Sequence, residues 1–359
     1  MVKEYAKGLT ERTFGPGKSI LYAAIIVTFL LVCLELSIRT WAYFYRDTYE
    51  KFDIASQTFK LIPGEHRVGN NIIKINSDGF IGKEIQKNNP DLFRILTIGD
   101  SCTFGDGDYT TAYPALLESQ LKKQENKSAL QYEVINGGVE GLNSEMALYR
   151  LRSKGPGLSP DIVTIYIGWN DLMKLGPAGQ GGSQQWSWFA HTLDKLWITK
   201  GVRKLVYYYI RPRLISPAVG PDSRTGAFKG FKSTLYEDNL QKIIASARSL
   251  GAKPVLLTLP TVLREGMTAQ DIIDSNVVFP YFAAAYGVGD LIDLVEAHNN
   301  SIKSIASIEN VPLVDLSKVF SSLEDPQEYF YDTMHASLKG RRIIANEIYS
   351  SLYREKIIK

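Results

Sequence analysis

From residue 93 onward, short apolar runs alternate with stretches that have helical periodicity. Five runs are rich in Val, Ile and Leu and are bounded by turn residues: Arg94–Gly99, Tyr132–Asn136, Asp161–Gly168, Lys253–Pro260 and Val311–Ser317. Such runs are typical of strands buried on both faces of a parallel sheet. Between them lie amphipathic stretches such as Tyr236–Leu250, which Gly251 follows as a helix C-cap. The alternation predicts an α/β fold, a three-layer α/β/α sandwich with a central parallel sheet.

The N-terminal region has a continuous apolar pattern instead. Ile20–Leu34 carries no charge, and Leu36–Ile38 extends the run. A helix needs about 20 largely apolar residues to span a bilayer, so residues 20–45 are predicted to form a transmembrane anchor. Glu35 and Arg39 are four residues apart and can pair on one helix face. An aromatic cluster suited to the membrane interface follows, made of Trp41, Tyr43, Phe44 and Tyr45.

Basic residues precede the apolar run and set the predicted orientation. They are Lys3, Lys7, Arg12 and Lys18. By the positive-inside rule, residues 1–19 are cytoplasmic and the main domain is extracytoplasmic. A cleavable signal peptide would need an A-x-A-like site after the run, and none is obvious. A lipoprotein signal would need a small residue before Cys33, where Val32 stands. A buried core helix is the remaining alternative for this segment.

The segments between the anchor and the first predicted strand, and between the third and fourth strands, differ from the regular pattern. Residues 46–90 are polar, with scattered Gly, Asn and Pro, and are interpreted as a stalk with small strands such as Asn71–Asn76. Residues 91–359 form the main domain. Residues 172–234 are an insertion, because two strands of one sheet do not need about sixty extra residues between them. The insertion contains Trp186, Trp188, Phe189 and Trp197. These aromatics are interpreted as a small subcore, with a lid or substrate-facing wall as the alternative.

Composition narrows the function classes. The 359 residues are 45% hydrophobic and 22% charged, so the chain can build a sizeable globular core. Its 41 basic and 38 acidic residues are spread along the chain, and the net charge is only +3. This distribution argues against a nucleic-acid-binding face, which needs a basic patch. The two cysteines, Cys33 and Cys102, are too few for a disulfide scaffold.

Polar residues that suit acyl transfer stand where the carboxyl ends of the strands are predicted. Ser101 follows the first strand, Gly138 the second and Asn170 the third, and Asp332 and His335 precede a last helix that begins near Leu338. Parallel sheets gather their catalytic groups at these ends. A serine hydroxyl needs a base, and histidine is the base matched to neutral pH. Of the four histidines, His335 alone has an aspartate at a useful spacing.

These residues predict a catalytic triad and an oxyanion hole. In a turn, a spacing of three lets Asp332 reach Nδ1 of His335 while Nε2 faces Ser101. The amide N–H groups of Ser101 and Gly138 and the side-chain amide of Asn170 are expected to meet the developing oxyanion. Asp100 and Asp171 are expected to brace loops through backbone hydrogen bonds, and Cys102 to point away from the reaction.

The same blocks resemble a known family. Gly99-Asp100-Ser101, Gly138, Gly168-x-Asn170-Asp171 and Asp332-x-x-His335 are similar to the four ordered blocks of the SGNH (GDSL-type) hydrolases. The resemblance covers about residues 93–352, apart from the insertion. It implies a flavodoxin-like fold, ester hydrolysis without a metal or organic cofactor, and the residue roles given above. Cys102 departs from the leucine that often follows the serine. The stretch Asn76–Phe80 and the anchor resemble bacterial envelope members found among polysaccharide-modifying proteins.

The resulting hypothesis is a serine esterase that is anchored in a bacterial inner membrane. Its catalytic domain is expected at the extracytoplasmic face, in the periplasm. Its substrates are expected to be acyl esters, with O-acetyl glycans ahead of lipids, cleaved through an acyl-enzyme on Ser101. Its expected partners are the ester substrate and the membrane, without nucleic acid. Two alternatives remain open. One is an O-acyltransferase that uses the same triad but hands the acyl group to a sugar, and the other is a non-catalytic envelope protein that binds glycan.

Overall fold

A computed structural model of the chain describes residues 16–45, 49–53, 58–68, 71–87, 89, 91–105, 108–125, 131–174, 198, 224, 226, 228–274 and 287–358. The chain divides into two compact units. One comprises residues 1–46 and 183–214, and the other comprises residues 47–182 and 215–359. The predicted aromatic insertion lies almost entirely outside the described residues, including Trp186, Trp188, Phe189 and Trp197.

Among the described residues, the first unit contains one long apolar helix, α1 (Pro16–Tyr45). Its segment Gly17–Thr40 has a mean hydropathy of 2.4 and is long and apolar enough to cross a membrane, by length and composition. Glu35 and Arg39 form the predicted pair, with Arg39 Nε donating to Glu35 Oε1 at 2.7 Å. The second carboxylate oxygen of Glu35 accepts the backbone N–H of Ile198 at 2.9 Å. The side chains of the predicted interfacial aromatics, residues 41–45, lie outside the described ones.

Two antiparallel hairpins open the second unit. Strand β1 (Glu50–Asp53) pairs with β2 (Thr58–Leu61), and β3 (Gly64–Val68) pairs with β4 (Asn71–Ile75). The side chains of Leu61, Ile73 and Ile75 are buried in the hydrophobic core of this unit. The small strand predicted at Asn71–Asn76 is thus present as β4, and it packs into the core of the unit. The reason is that the alternation along β4 directs Ile73 and Ile75 inward, although the segment as a whole is polar.

A five-stranded parallel sheet forms the centre of the second unit. Its strands are β5 (Leu92–Gly99), β6 (Gln131–Asn136), β7 (Ile162–Tyr166), β8 (Lys253–Leu257) and β9 (Leu313–Val314). Their order in the sheet is β6-β5-β7-β8-β9, and every pairing is parallel. The α/β class and the flavodoxin-like order are thus confirmed, and the topological switch point lies between β5 and β7. Strand β9 is shorter than predicted because Asp315 already caps the next helix.

Helices cover both faces of this sheet, as the complete burial of β7 requires. They are α2 (Ser101–Phe104), α3 (Tyr113–Glu125), α4 (Ser144–Lys154), α5 (Trp169–Lys174), α6 (Thr234–Ser249), α7 (Ala269–Asp274), α8 (Val288–Ile308), α9 (Leu316–Ser321) and α10 (Leu338–Arg354). Helix α3 packs against α10, whereas α6 packs against α4 and α8. Gly251 follows α6 with a φ of +80°, as a capping glycine should.

One edge of the sheet, strand β6, is covered by side chains and by a backbone bridge. The backbone N–H of Val134 donates to Glu118 Oε2 at 3.4 Å, and the ammonium groups of Lys83 and Lys122 hold the same carboxylate. Ile81 adds an antiparallel bridge to Asn136 at the end of β6. An exposed strand edge is a template for pairing with other chains, so these contacts protect the sheet.

The motif Asn76–Phe80 ties the second hairpin to the end of β6. Asn76 Oδ1 accepts the backbone N–H of Phe80 at 2.9 Å and so closes the turn. The guanidinium of Arg150 in α4 lies 4.8 Å from the centre of the Phe80 ring and donates to the carbonyl of Gly79 at 2.9 Å. The same guanidinium donates to the carbonyl of Gly137, directly after β6, at 3.0 Å. The motif therefore supports the loop that leads from β6 toward the catalytic residues.

Candidate active site

The nucleophile stands at the tight turn from β5 into α2. A Cβ at Gly99 would lie 1.9 Å from Thr103 Oγ1, so only glycine allows the strand to pass this close to the helix. Asp100 caps the helix, and its carboxylate accepts the N–H of Cys102 at 2.9 Å. Ser101 is the first residue of α2 and is partly exposed. It therefore lies at the carboxyl end of β5, beside the switch point of the sheet.

The structure brings Ser101, His335 and Asp332 together, although the serine and the histidine are 234 positions apart in the sequence. Ser101 Oγ and His335 Nε2 are 2.8 Å apart, and His335 Nδ1 lies 2.6 Å from Asp332 Oδ2. The other carboxylate oxygen, Oδ1, accepts the backbone N–H groups of Met334 at 2.9 Å and His335 at 2.6 Å. The loop that holds them is closed by the N–H of Tyr331, which donates to the carbonyl of His335 at 3.1 Å. This geometry suits a serine nucleophile with a histidine base.

Charge around the imidazole favours its protonated form. Burial lowers the pKa of His335, but the hydrogen bond and the negative charge of Asp332 outweigh it, with smaller contributions from Asp100 and Glu140. The pKa of His335 therefore lies above its ordinary value. Asp100 itself is fully buried, and burial raises the pKa of its carboxyl to about 6. When Ser101 gives its proton to His335, the imidazole becomes a cation. The negative charges around the ring stabilise that cation and so favour the transfer.

Asn170 lies in α5, one turn past the end of β7. Its side-chain Nδ2 donates to the carbonyl of Leu142 at 3.1 Å and to Asp100 Oδ2 at 3.4 Å. The amide is thus oriented by the turn after β6 on one side and by the neighbour of the nucleophile on the other. Asn170 therefore lies beside the Asp100-Ser101 turn, and its role as an oxyanion donor stays a prediction.

Gly138 requires a correction. Its N–H donates to Asn136 Oδ1 at 2.9 Å, so the donor is already engaged. A Cβ at Gly138 would lie 2.2 Å from the backbone nitrogen of Phe104 in α2. Glycine is needed here because the chain passes against the nucleophile's helix, and not because it leaves room for a substrate carbonyl.

Gly141 is the better candidate for the third donor. It is exposed, has a φ of +71°, and its N–H makes no hydrogen bond within the described part of the chain. It directly precedes Leu142, whose carbonyl orients Asn170. The N–H of Val139 still pairs with Gly99 at 3.1 Å, so the chain runs beside the nucleophile turn until that point. In the sequence, the signal that could have indicated Gly141 was its position as the last glycine of the segment Gly137–Gly141.

Two further aspartates and their partners brace the site, as predicted. Asp100 holds the N-terminus of α2 through the contact described above. Asp171 accepts the N–H of Ser144 at 2.9 Å and its hydroxyl at 2.6 Å. Asn239 in α6 donates to the same hydroxyl at 3.0 Å. These bonds tie the loop after β7 to the start of α4, so the segment that carries Asn170 is fixed from two sides.

Cys102, beside the nucleophile, is buried. Its Sγ lies 3.6 Å from the carbonyl oxygen of Met334, the residue before the catalytic histidine. Burial raises the pKa of this thiol. The thiol therefore stays protonated at neutral pH and packs between α2 and the catalytic loop, as the sequence analysis expected.

The remaining histidines are engaged elsewhere or are not described. His66 Nε2 lies 2.8 Å from the carbonyl of Ile62, and His191 lies outside the described residues. His298 is buried against Tyr236, with ring centres 4.9 Å apart, and burial lowers its pKa to about 4. In the part of the chain that the structure describes, no group of three or more His, Cys, Asp or Glu residues could hold a metal ion.

Aromatic side chains lie beside the catalytic histidine and beside the nucleophile's helix. The ring of Tyr331 is stacked on His335, with centres 5.7 Å apart and planes 5° from parallel. Tyr49, directly before β1, donates from its hydroxyl to Glu140 Oε2 at 2.6 Å. Its ring lies 5.7 Å from that of Phe104, the last residue of α2. The first hairpin therefore reaches the turn after β6.

The match to a family model agrees with this architecture. The model of the GDSL-like lipase/acylhydrolase family matches residues 97–343. Similar solved structures include an acetyl xylan esterase (18% identity, 72% of this chain and 99% of that chain, TM-score 0.45). Another is a GDSL-like lipase from Bacteroides thetaiotaomicron (15% identity, 74% of this chain and 89% of that chain, TM-score 0.40). A third is a lipase/acylhydrolase from Enterococcus faecalis (16% identity, 72% of this chain and 94% of that chain, TM-score 0.42). None of the curated proteins compared with the chain matches it.

Proposed function

The chain belongs to the GDSL-like lipase/acylhydrolase family and is an SGNH-type ester hydrolase, and from this premise we propose that Ser101 is its nucleophile. One observation carries the proposal. Ser101 Oγ lies 2.8 Å from His335 Nε2, while Nδ1 of the same ring lies 2.6 Å from Asp332. Nucleophile, base and orienting carboxylate thus stand in one hydrogen-bonded line.

The proposed reaction runs through an acyl-enzyme. Ser101 Oγ attacks the ester carbonyl as its proton passes to His335 Nε2, and Asp332 stabilises the resulting imidazolium. The oxyanion accepts hydrogen bonds from the N–H groups of Ser101 and Gly141 and from the side chain of Asn170. Collapse of the intermediate expels the alcohol, which takes the proton from Nε2. Water then attacks the acyl-serine, with the histidine again as base, and releases the acid and the free serine.

We further propose that the enzyme works outside the cytoplasmic membrane on acyl esters, with O-acetylated glycans ahead of lipids. Helix α1 supports an anchor by its length and composition. The basic residues before it support a cytoplasmic N-terminus. The similarity of Asn76–Phe80 and the anchor to envelope proteins that modify polysaccharides supports the glycan substrate.

The nucleophile is tested by covalent labelling of the full-length protein in detergent with a fluorophosphonate. Ser101→Ala is expected to abolish labelling while the thermal unfolding temperature is retained. Ser153→Ala, at an exposed serine of α4, is the matched control and should label like the wild type. Equal labelling of the Ser101 variant and the wild type would refute the assignment. Turnover of p-nitrophenyl esters from acetate to palmitate then tests the acyl group, since a glycan O-acetyl esterase should prefer acetate.

A further inference from the structure

Tyr331 is an aromatic side chain beside the catalytic base that the proposed steps do not use. Its ring lies 5.7 Å from the imidazole of His335, centre to centre, and the two planes are 5° from parallel. Parallel rings at this separation are offset, because full overlap would bring the centres closer, so the imidazole covers only part of the tyrosine ring. Tyr331 is 49% exposed. It therefore presents an open aromatic surface directly beside His335.

The backbone of the catalytic loop holds this ring in place. The N–H of Tyr331 donates to the carbonyl of His335 at 3.1 Å, and an antiparallel bridge joins Phe330 to Ala336. The two aromatic residues before Tyr331 pack inward, since Phe330 is buried in the core and Tyr329 is partly buried against it. The ring of Tyr331 is thus left outside the core on a fixed loop. A surface held in this way can receive a ligand without the cost of ordering a mobile segment.

The alcohol part of the ester leaves from the histidine that Tyr331 flanks. In the proposed reaction, His335 Nε2 returns its proton to the alcohol oxygen, which must come within about 3 Å of that nitrogen. A sugar ring joined to this oxygen is comparable in width with the 5.7 Å between the two aromatic centres. The face of such a sugar therefore reaches the tyrosine ring while its oxygen stays at the imidazole.

An open aromatic face favours a particular kind of alcohol. The face of an aromatic ring carries partial negative charge, and it attracts the C–H groups on one face of a sugar, which the neighbouring oxygens make electron-poor. The sugar hydroxyls point away from the stack and stay hydrated, so they lose no hydrogen bonds. An alkyl chain gains most from an enclosed apolar cleft, whereas about half of Tyr331 is open to water. The exposed ring thus suits a sugar better than an alkyl chain.

We propose that Tyr331 is a specificity-determining residue on which a sugar ring in the alcohol part of the ester stacks. The inference deepens the proposed function and rests on it, because it requires Ser101 and His335 to cleave that ester. The stack is made in the bound ester and in the transition state alike. Its loss therefore raises KM for sugar esters more than it lowers kcat.

The test compares Tyr331→Leu and Tyr331→Phe with the wild type on three acetate esters, using the full-length protein in detergent and the release of acetic acid. The esters are ethyl acetate, hexyl acetate and a mono-O-acetylated methyl xyloside. Leucine keeps an apolar side chain but removes the flat ring, so kcat/KM for the xyloside ester should fall about tenfold more than for ethyl acetate, mainly through KM. Hexyl acetate should follow ethyl acetate. Phenylalanine keeps the ring and should keep the wild-type ratios.

A control variant and three opposing outcomes make the test decisive. Tyr353→Leu removes another exposed tyrosine, which is stacked on Tyr349 at the far end of α10, and should leave the ratios unchanged. If Tyr331 only oriented the imidazole, the leucine variant would lose the same factor on all three esters, which would overturn the inference but not the proposed function. An equal extra loss on hexyl acetate and the xyloside ester would also overturn the inference, since the ring would then be a general apolar contact. A wild-type protein that hydrolyses none of the esters would overturn both.

Discussion

Replacing Asp332 by asparagine separates the role of its charge from the role of its hydrogen bonds. In the structure, Oδ1 accepts two backbone N–H groups, from Met334 and His335, while Oδ2 accepts from His335 Nδ1. The asparagine carbonyl can replace Oδ1, but its NH₂ group cannot, because it would face two donors. The NH₂ group must therefore point at Nδ1. The imidazole then accepts there and carries its proton on Nε2, so it cannot accept the proton of Ser101.

The expected loss follows from this tautomer. The same substitution in the triad of serine proteases lowers kcat about 10⁴-fold, which corresponds to roughly 5.5 kcal/mol of transition-state stabilisation. We expect a loss of the same order here for hydrolysis of p-nitrophenyl acetate at pH 7.5. The unfolding temperature should change little, because both backbone hydrogen bonds to the side chain are kept.

The control is Asp271→Asn, on an exposed carboxylate that also accepts a backbone N–H, that of Thr268 at 2.7 Å. This variant should hydrolyse the ester like the wild type. An Asp332→Asn enzyme that retains more than about a tenth of the wild-type kcat would refute the tautomer argument. It would mean that the histidine reaches its working state without help from the carboxylate.

Three further outcomes are expected. Because only the neutral imidazole accepts the serine proton, kcat/KM for p-nitrophenyl acetate should fall with decreasing pH through the raised pKa of His335, above about 6.5, in a profile from pH 5 to 9. Gly138→Ala should lower stability in urea unfolding by about 3 kcal/mol or more through its clash with α2, while Gly157→Ala, with no atom within 4 Å, should not. Arg94→Met should cost about 3–5 kcal/mol in the same assay, because it leaves the buried Glu133 unpaired; a loss below about 1 kcal/mol would contradict this.

The sheet and the triad could be predicted from sequence because both depend on local signals. Buried parallel strands are continuous apolar runs, and four of the five lie within a few residues of their predicted bounds. The serine turn is equally local, since Gly99 and Asp100 shape it without help from distant residues. The pairing of Ser101 with His335 followed from topology, because parallel strands bring their carboxyl ends to one edge.

The oxyanion turn could not be predicted in the same way. Whether a backbone N–H is available depends on which acceptors lie nearby in the fold. Gly138 is the first glycine that looks suitable, but the side chain of Asn136, two residues earlier, takes its donor. The chain turns outward only at Gly141, and this depends on how long it runs beside the nucleophile's turn.

The hairpins before the sheet were predicted only in part, as the small strand Asn71–Asn76, and for a different reason. Strands β1 to β4 are four or five residues long, and polar residues make up about half of them. Such segments have no strong periodic signal, so their burial is decided by tertiary contacts. The hydrogen bond between Tyr49 and Glu140 joins residues that are 91 positions apart, and no local sequence pattern indicates it.

The buried thiol of Cys102 can serve as a reporter of local opening beside the nucleophile. The chain has only one other cysteine, Cys33, which belongs to helix α1. The sulfur of Cys102 is buried beside the carbonyl of Met334, so a thiol reagent reaches it only when the native packing around α2 opens. We therefore expect slow alkylation of Cys102 in the native protein, at a rate that reports how often this packing opens. A bound inhibitor that holds Ser101 and His335 together should slow the alkylation of Cys102.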